Sequence, residues 1–324
     1  MTARVGFRLL PAAALLSLAA VLLSASPAVM PDALGRGTLP GIDRGALWSR
    51  VHVIGASASA GFGVRPPLPR TNPERLRPLG LAEVAEAART GDGRISGDAT
   101  AMFFGNPVAV GRAQVAETMA MDPPPTIVLA SDFLFWFAYG ARGASGRPIR
   151  DESQRLELLD AGLDALAPIV AAGIPLVVGD LPDMSEAVGR MLTRAQMPAP
   201  TTLDEANARI REWAGRHPRV AVMALSRLVA NLRDGRPFEA GRRTWSEASD
   251  GALIQGDRLH PTLAGMVALL ASTEQAANDR FLGVRRPRAP GAPEVFEHDP
   301  ARVSERIRIR AGSARTPGAA VAQP

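Results

Sequence analysis

The chain has 324 residues, 46% of them hydrophobic, and 37 basic residues against 32 acidic ones, for a formal net charge of +5. That length is enough to bury the core of one domain of about 200–250 residues with extra ends. Cysteine is absent, which excludes disulfides, thiolate metal sites, a cysteine nucleophile and lipoprotein-type acylation.

Every basic residue is arginine, and the excess lies at the two ends. From Val284 onward there are 8 arginines against 4 acids; between residue 28 and that point there are 27 arginines and 28 acids. A nucleic-acid binder concentrates positive charge on its folded body, and this body carries none in excess.

Residues 1–28 predict a secretory signal. Arg4 and Arg8 precede an apolar run over 9–23, and Ser26-Pro27-Ala28 offers small residues for cleavage. The run of 15 residues is shorter than the roughly 20 that span a bilayer, and Pro11 interrupts it. The expected location is therefore periplasmic or extracellular. Residues 29–47 form a lead-in.

Residues 50–54 (RVHVI) read as a strand that stops at Gly55. A proline- and arginine-rich loop leads to a helix over 79–88. Residues 101–104 read as a second short strand halted by Gly105-Asn106-Pro107, and 108–121 have helical periodicity. A third strand follows at 126–130 (TIVLA). Next come a long helix over 152–171, a fourth strand at 174–178, a helix at 203–215 and a fifth strand at 219–225. Pro261 opens a last helix reaching residue 278. Unbroken apolar strands alternating with helices imply an α/β fold: a three-layer α/β/α sandwich on a mostly parallel five-stranded sheet over residues 48–283.

Beyond Gly283 the composition shifts to proline, arginine and alanine, which predicts a disordered tail over 284–324. Within it the alternation of residues 303–310 (VSERIRIR) suits a short strand. The basic tail also offers a contact surface to an anionic cell envelope.

Ligands in open α/β sheets sit beyond the carboxyl ends of the strands. Ser57, Gly105 and Asp132 fall at such ends, and Asp257 and His260 precede the last helix. A serine becomes a nucleophile when a base takes its proton and an acid orients that base. Asp257 and His260, three positions apart, can pair through one turn of chain while the imidazole faces Ser57. Each residue has a plainer alternative. Ser57 suits a helix or loop cap, His260 a surface site before a helix, Gly105 a turn, and Asp132 a carboxylate stitching loops together. The Gly55–Gly63 segment matches no dinucleotide fingerprint, and a chain without lysine has no phosphate-loop lysine.

At these residues the chain resembles the SGNH hydrolases, the GDSL-type esterases and lipases. Asp257-Arg258-Leu259-His260-Pro261 matches their Asp-x-x-His-Pro block, and Gly55-Ala56-Ser57-Ala58 is similar to their Gly-Asp-Ser block. By position along the fold, Gly105 fits the family glycine, and Asp132 falls where the family has asparagine. The resemblance implies an exported serine esterase with Ser57 as nucleophile, His260 as base and Asp257 as its orienting acid. It implies Gly105 and residue 132 as oxyanion donors, small-molecule, glycan or lipid esters as substrates, and no cofactor. An ionised Asp132 only accepts hydrogen bonds. The site would then need a protonated Asp132, or Ser131 or Asn106 as donor. The rival reading is a non-catalytic envelope protein that binds glycan or lipid on the same fold.

Overall fold

The computed structural model describes residues 42–143, 145–283 and 295–313. The signal-like segment 1–28 and most of the tail, 284–294 and 314–324, lie outside the described residues.

Strands β1 (Arg50–Val53), β2 (Arg94–Gly97), β3 (Ile127–Ala130), β4 (Leu176–Gly179) and β5 (Val220–Met223) form one sheet in the order β2-β1-β3-β4-β5. Every pairing is parallel. Helices α1 (Arg44–Leu47), α2 (Leu81–Ala88), α3 (Pro107–Met119), α4 (Phe135–Tyr139), α5 (Glu152–Ala165), α6 (Ala167–Ala171) and α7 (Pro200–Arg216) come before the end of β5. They are followed by α8 (Leu225–Arg233), a hairpin β6 (Phe238–Ala240) and β7 (Arg243–Trp245), α9 (Glu247–Asp250), α10 (Leu263–Phe281) and α11 (Pro300–Ser313).

Side chains of a strand alternate between faces, and here both faces are covered. Val128, Ala130, Leu176, Val178 and Val220 pack with α3, α5, α6 and α7. Val51, Val53, Ile127, Leu129, Val177, Ala221 and Met223 pack with α1, α2, α10 and α11. The molecule is thus the expected α/β/α sandwich, with an all-parallel sheet.

Four local expectations need correction. The second strand is Arg94–Gly97, not 101–104. It is an edge strand with no buried residue, so it needs no apolar run. Residues Ala101–Gly105 instead form a 3-10 turn that buries Phe103 and exposes Met102 and Phe104. The helix over 152–171 is two helices, because Pro168 has no N–H to continue the ladder. Segment 303–310 is helical rather than extended: Val303 and Ile307, four residues apart, are buried, while Ile309 is exposed. Finally, residues 295–313 are part of the packed body. Phe296 is fully buried edge-on to Trp48 with ring centroids 5.3 Å apart. The Arg306 guanidinium donates to the α2 carbonyls of Ala87 and Ala88 and to that of Arg89. Between β5 and α10 the chain also forms helix α8 and the β6–β7 hairpin, elements beyond those expected from the sequence.

Candidate active site

The chain leaves β1 through Gly55, whose φ of 152° is one that side chains disfavour. A β-carbon there would stand 2.2 Å from an Asp132 carboxylate oxygen, so only glycine fits. Asp132, buried just beyond β3, organises the turn that follows. Its Oδ1 accepts the Ala56 N–H at 3.0 Å and the Ser59 hydroxyl at 2.6 Å. Its Oδ2 accepts the N–H groups of Ala58 and Ser59 at 2.9 and 3.0 Å. From α3, the Gln114 amide accepts from Gly55 N–H at 3.0 Å and donates to the Gly55 carbonyl at 2.9 Å. Among the described residues the Ser57 N–H has no acceptor, although its neighbours on either side are engaged by Asp132.

His260 meets this turn from the segment before α10, whose N-terminus Thr262 caps. The Ser57 hydroxyl lies 2.9 Å from His260 Nε2, and His260 Nδ1 lies 2.7 Å from Asp257 Oδ2. Asp257 Oδ1 also accepts the N–H groups of Leu259 and His260, at 2.9 and 3.0 Å. Between them, Arg258 sits in the left-handed region at φ 61°, a conformation that costs a non-glycine residue about 1–2 kcal/mol. This bend returns the carboxylate onto its own chain. Burial opposes ionisation of Asp257, but the two N–H groups and the His260 ring together hold its carboxyl below the usual range. The Phe62 ring covers the imidazole at 4.5 Å, and Gln255 ties the two segments by donating to the carbonyls of Phe62 and Pro261.

The remaining expected site residues are placed differently. Gly105 is exposed in its 3-10 turn and does not line the cleft containing Ser57. The end of β2 is Gly97, so a residue placed by counting from 101–104 falls too late in the chain. Asp132 is in the cleft wall, but all its described hydrogen bonds are accepted ones, as the stitching alternative requires. Neither proposed substitute faces the cleft: the Ser131 hydroxyl pairs with Thr273 at 3.1 Å, and the Asn106 side chain caps α3. Of the aromatic residues in 133–137 (FLFWF), Phe133 and Phe137 pack on Phe103 in the core, and only Phe135 lines the cleft.

Beside Ser57 and His260 lies an open cleft of about 710 Å³, a volume that includes solvent at its mouth. Apart from Ser57, Asp132 and His260, every side chain lining it is apolar. One wall is α8, whose Leu225, Leu228, Val229 and Leu232 recur at the spacing of a helical stripe. That stripe is legible in the sequence as LSRLVANL, an apolar face at helical spacing just after the fifth strand. Among the described residues no cluster of His, Asp and Glu stands at metal-ligating spacing, and no helix is long and apolar enough to cross a membrane.

No protein-family model matches the chain, and no curated protein matches it. Among solved structures it is similar to a protein provisionally named an acylhydrolase from Bacteroides fragilis, with 14% identity and a TM-score of 0.41 over 75% of this chain and 92% of that one. It is also similar to a lipolytic protein of the G-D-S-L family from Veillonella parvula, with 12% identity and a TM-score of 0.38 over 69% of this chain and 96% of that one. A third likeness is to phospholipase A1 from Streptomyces albidoflavus, with 13% identity and a TM-score of 0.33 over 71% and 99% of the two chains. At such identities the functional reading rests on the geometry of the site.

Proposed function

We propose that the protein is a serine hydrolase of carboxylic esters working through an acyl-enzyme. The observation that carries this reading is the continuous series from the Ser57 hydroxyl through His260 to the Asp257 carboxylate, with contacts of 2.9 and 2.7 Å. Ser57 Oγ attacks the ester carbonyl carbon while His260 Nε2 takes its proton. The tetrahedral oxyanion forms against the unengaged Ser57 N–H. His260 then gives the proton to the departing alkoxide oxygen, releasing the alcohol and leaving the acyl group on Ser57. Water, deprotonated by the same imidazole, repeats the attack and frees the acid. Asp257 keeps Nδ1 protonated and faces the imidazolium that forms at each step.

The reading accords with the resemblance of the Asp257–Pro261 and Gly55–Ala58 blocks to the SGNH hydrolases. The signal-like pattern of residues 1–28 supports export, which N-terminal sequencing of the mature protein tests. A second reading, a binding protein on the same scaffold, draws on the acceptor-only role of Asp132, which leaves the site without a side-chain amide donor. A fluorophosphonate probe separates the two. Labelling of Ser57 that disappears in Ser57→Ala, with loss of p-nitrophenyl ester turnover, is expected; an inert Ser57 would leave the binding protein.

A further inference from the structure

The apolar cleft beside Ser57 has a wall that no part of the protein finishes burying. On α8 only Val229 is buried; Leu225, Leu228 and Leu232 are half-exposed, and all four line the cleft. Across from them stand Met184 on the segment after β4, and Leu253 and Leu269 on the α10 side. Partly exposed leucines that face buried apolar side chains across a gap gain by taking an apolar occupant out of water.

The cleft holds little that could read a polar one. Asp132 has its oxygens engaged with the Ser57 turn, and Ser57 and His260 are paired with each other. No side chain remains to bind sugar hydroxyls or a charged headgroup, and burying such groups unpaired is costly. The cleft is also finite. Met184, Val229, Leu232 and Ile254 line both it and an adjoining crevice. In that crevice Arg233 pairs with Asp183 at 2.7 Å and approaches Glu186 at 3.6 Å. An aliphatic chain growing away from Ser57 therefore meets charge at its far end.

Helix α8 is seated for this role. Asp180, buried after β4, accepts the Ser226 N–H at 2.6 Å and the Ser226 hydroxyl at 2.7 Å. That pairing fixes the first turn of the helix.

We infer that the leucine stripe of α8 is a specificity element that seats an extended aliphatic acyl chain, longer than butyryl, on the carbonyl attacked by Ser57. The inference rests on the serine-hydrolase reading for its chemistry but not for its pocket.

The test is the kcat/KM of p-nitrophenyl esters from acetate to palmitate for the full chain, Leu228→Trp and Leu232→Ala. An optimum between butyrate and palmitate is expected. The octanoate-to-acetate ratio should fall at least about tenfold in Leu228→Trp, since a single methylene in a pocket is worth about that much. Leu232→Ala should move the optimum toward longer chains, and two opposite shifts exclude a general loss of stability. An acetate optimum in the native protein would overturn the inference. So would an unchanged ratio, or a preference that moves with the alcohol in a series of acetate esters rather than with the acyl group.

Binding of dansyl-undecanoic acid to Ser57→Ala reads the pocket without turnover. Saturable binding that Leu228→Trp weakens about tenfold upholds the pocket even if the native serine proves inert to fluorophosphonate. Absence of saturable binding overturns it. Should Leu228→Trp not fold, Leu228→Phe and Leu232→Ala decide in the same assays.

Discussion

Ser59 donates its hydroxyl to Asp132 at 2.6 Å, two residues beyond the serine that faces His260. With the N–H groups of Ala56, Ala58 and Ser59 also directed at that side chain, the Ser57 turn is wrapped around one buried carboxyl group. Four donors to one carboxylate make strong, charge-assisted hydrogen bonds. Asp132 thus supports the turn as an acceptor.

Asp132→Asn should therefore impair the protein rather than restore an oxyanion donor. An amide nitrogen replaces one oxygen and faces donors that it cannot accept. Stranding a buried donor costs about 1–3 kcal/mol. A lowered melting temperature and a fall in kcat/KM are expected on the same preparation; a gain in rate would refute the assignment.

Asp257→Asn should leave the fold nearly intact, because the amide oxygen can still accept from Leu259 and His260 N–H. It should also present the wrong group to His260 Nδ1 and favour the wrong tautomer. A drop in kcat of about three to four orders of magnitude is expected, with unchanged circular dichroism.

His52 lies buried inside β1, its Nδ1 2.9 Å from the Ser96 hydroxyl and its Nε2 3.1 Å from Asp98 without hydrogen-bond alignment. Burial pushes its pKa below the ordinary 6.5, against the opposing pull of Asp98 and Glu117. Between the two values the unfolded chain binds a proton that the folded chain refuses. Stability is therefore lost as pH falls through about 6.5, and the loss levels off below the folded value. Thermal melts from pH 7.5 to 5.5 should show a smaller drop in His52→Gln than in the native protein.

Phe296→Ala should destabilise by about 3–5 kcal/mol, the usual cost of emptying a buried aromatic site. Ending the chain at Gly283 should cost at least as much, since Val303 and Ile307 are lost with it. Chemical denaturation measures both. A midpoint unaffected by either change would show that residues 295–313 do not belong to the stable body.

Much of this arrangement was legible in the sequence for local reasons. A parallel sheet buried on both faces writes itself as short unbroken apolar runs, and β1, β3, β4 and β5 all carry them. Asp257 and His260 were legible as a pair because three residues is the reach of one turn. The edge strand β2 was not legible, since a strand with one neighbour and no buried residue leaves no apolar signature. The glycine at the end of β2 is therefore Gly97, and Gly105 belongs to the turn that follows. Residues 303–310 carry both a period of two and a spacing of four. Only the presence of α2 beneath Val303 and Ile307 selects the helix.

By itself, then, the sequence determined the sandwich, the rim on which its polar residues gather, and the Ser57, Asp257 and His260 set. The sandwich and rim follow from periodicity and the Asp257–His260 pair from short-range geometry, while Ser57, 203 residues from His260, joins them by its place beyond β1 and by the resemblance of its block to the SGNH hydrolases. The tertiary structure decided what Asp132 does and what α8 faces. The donors around Asp132 come from a turn more than 70 residues away in the chain, as at Ser59, and the gap opposite the α8 leucines is set by Met184, Leu253 and Leu269 on other elements. No local pattern encodes which of them will meet.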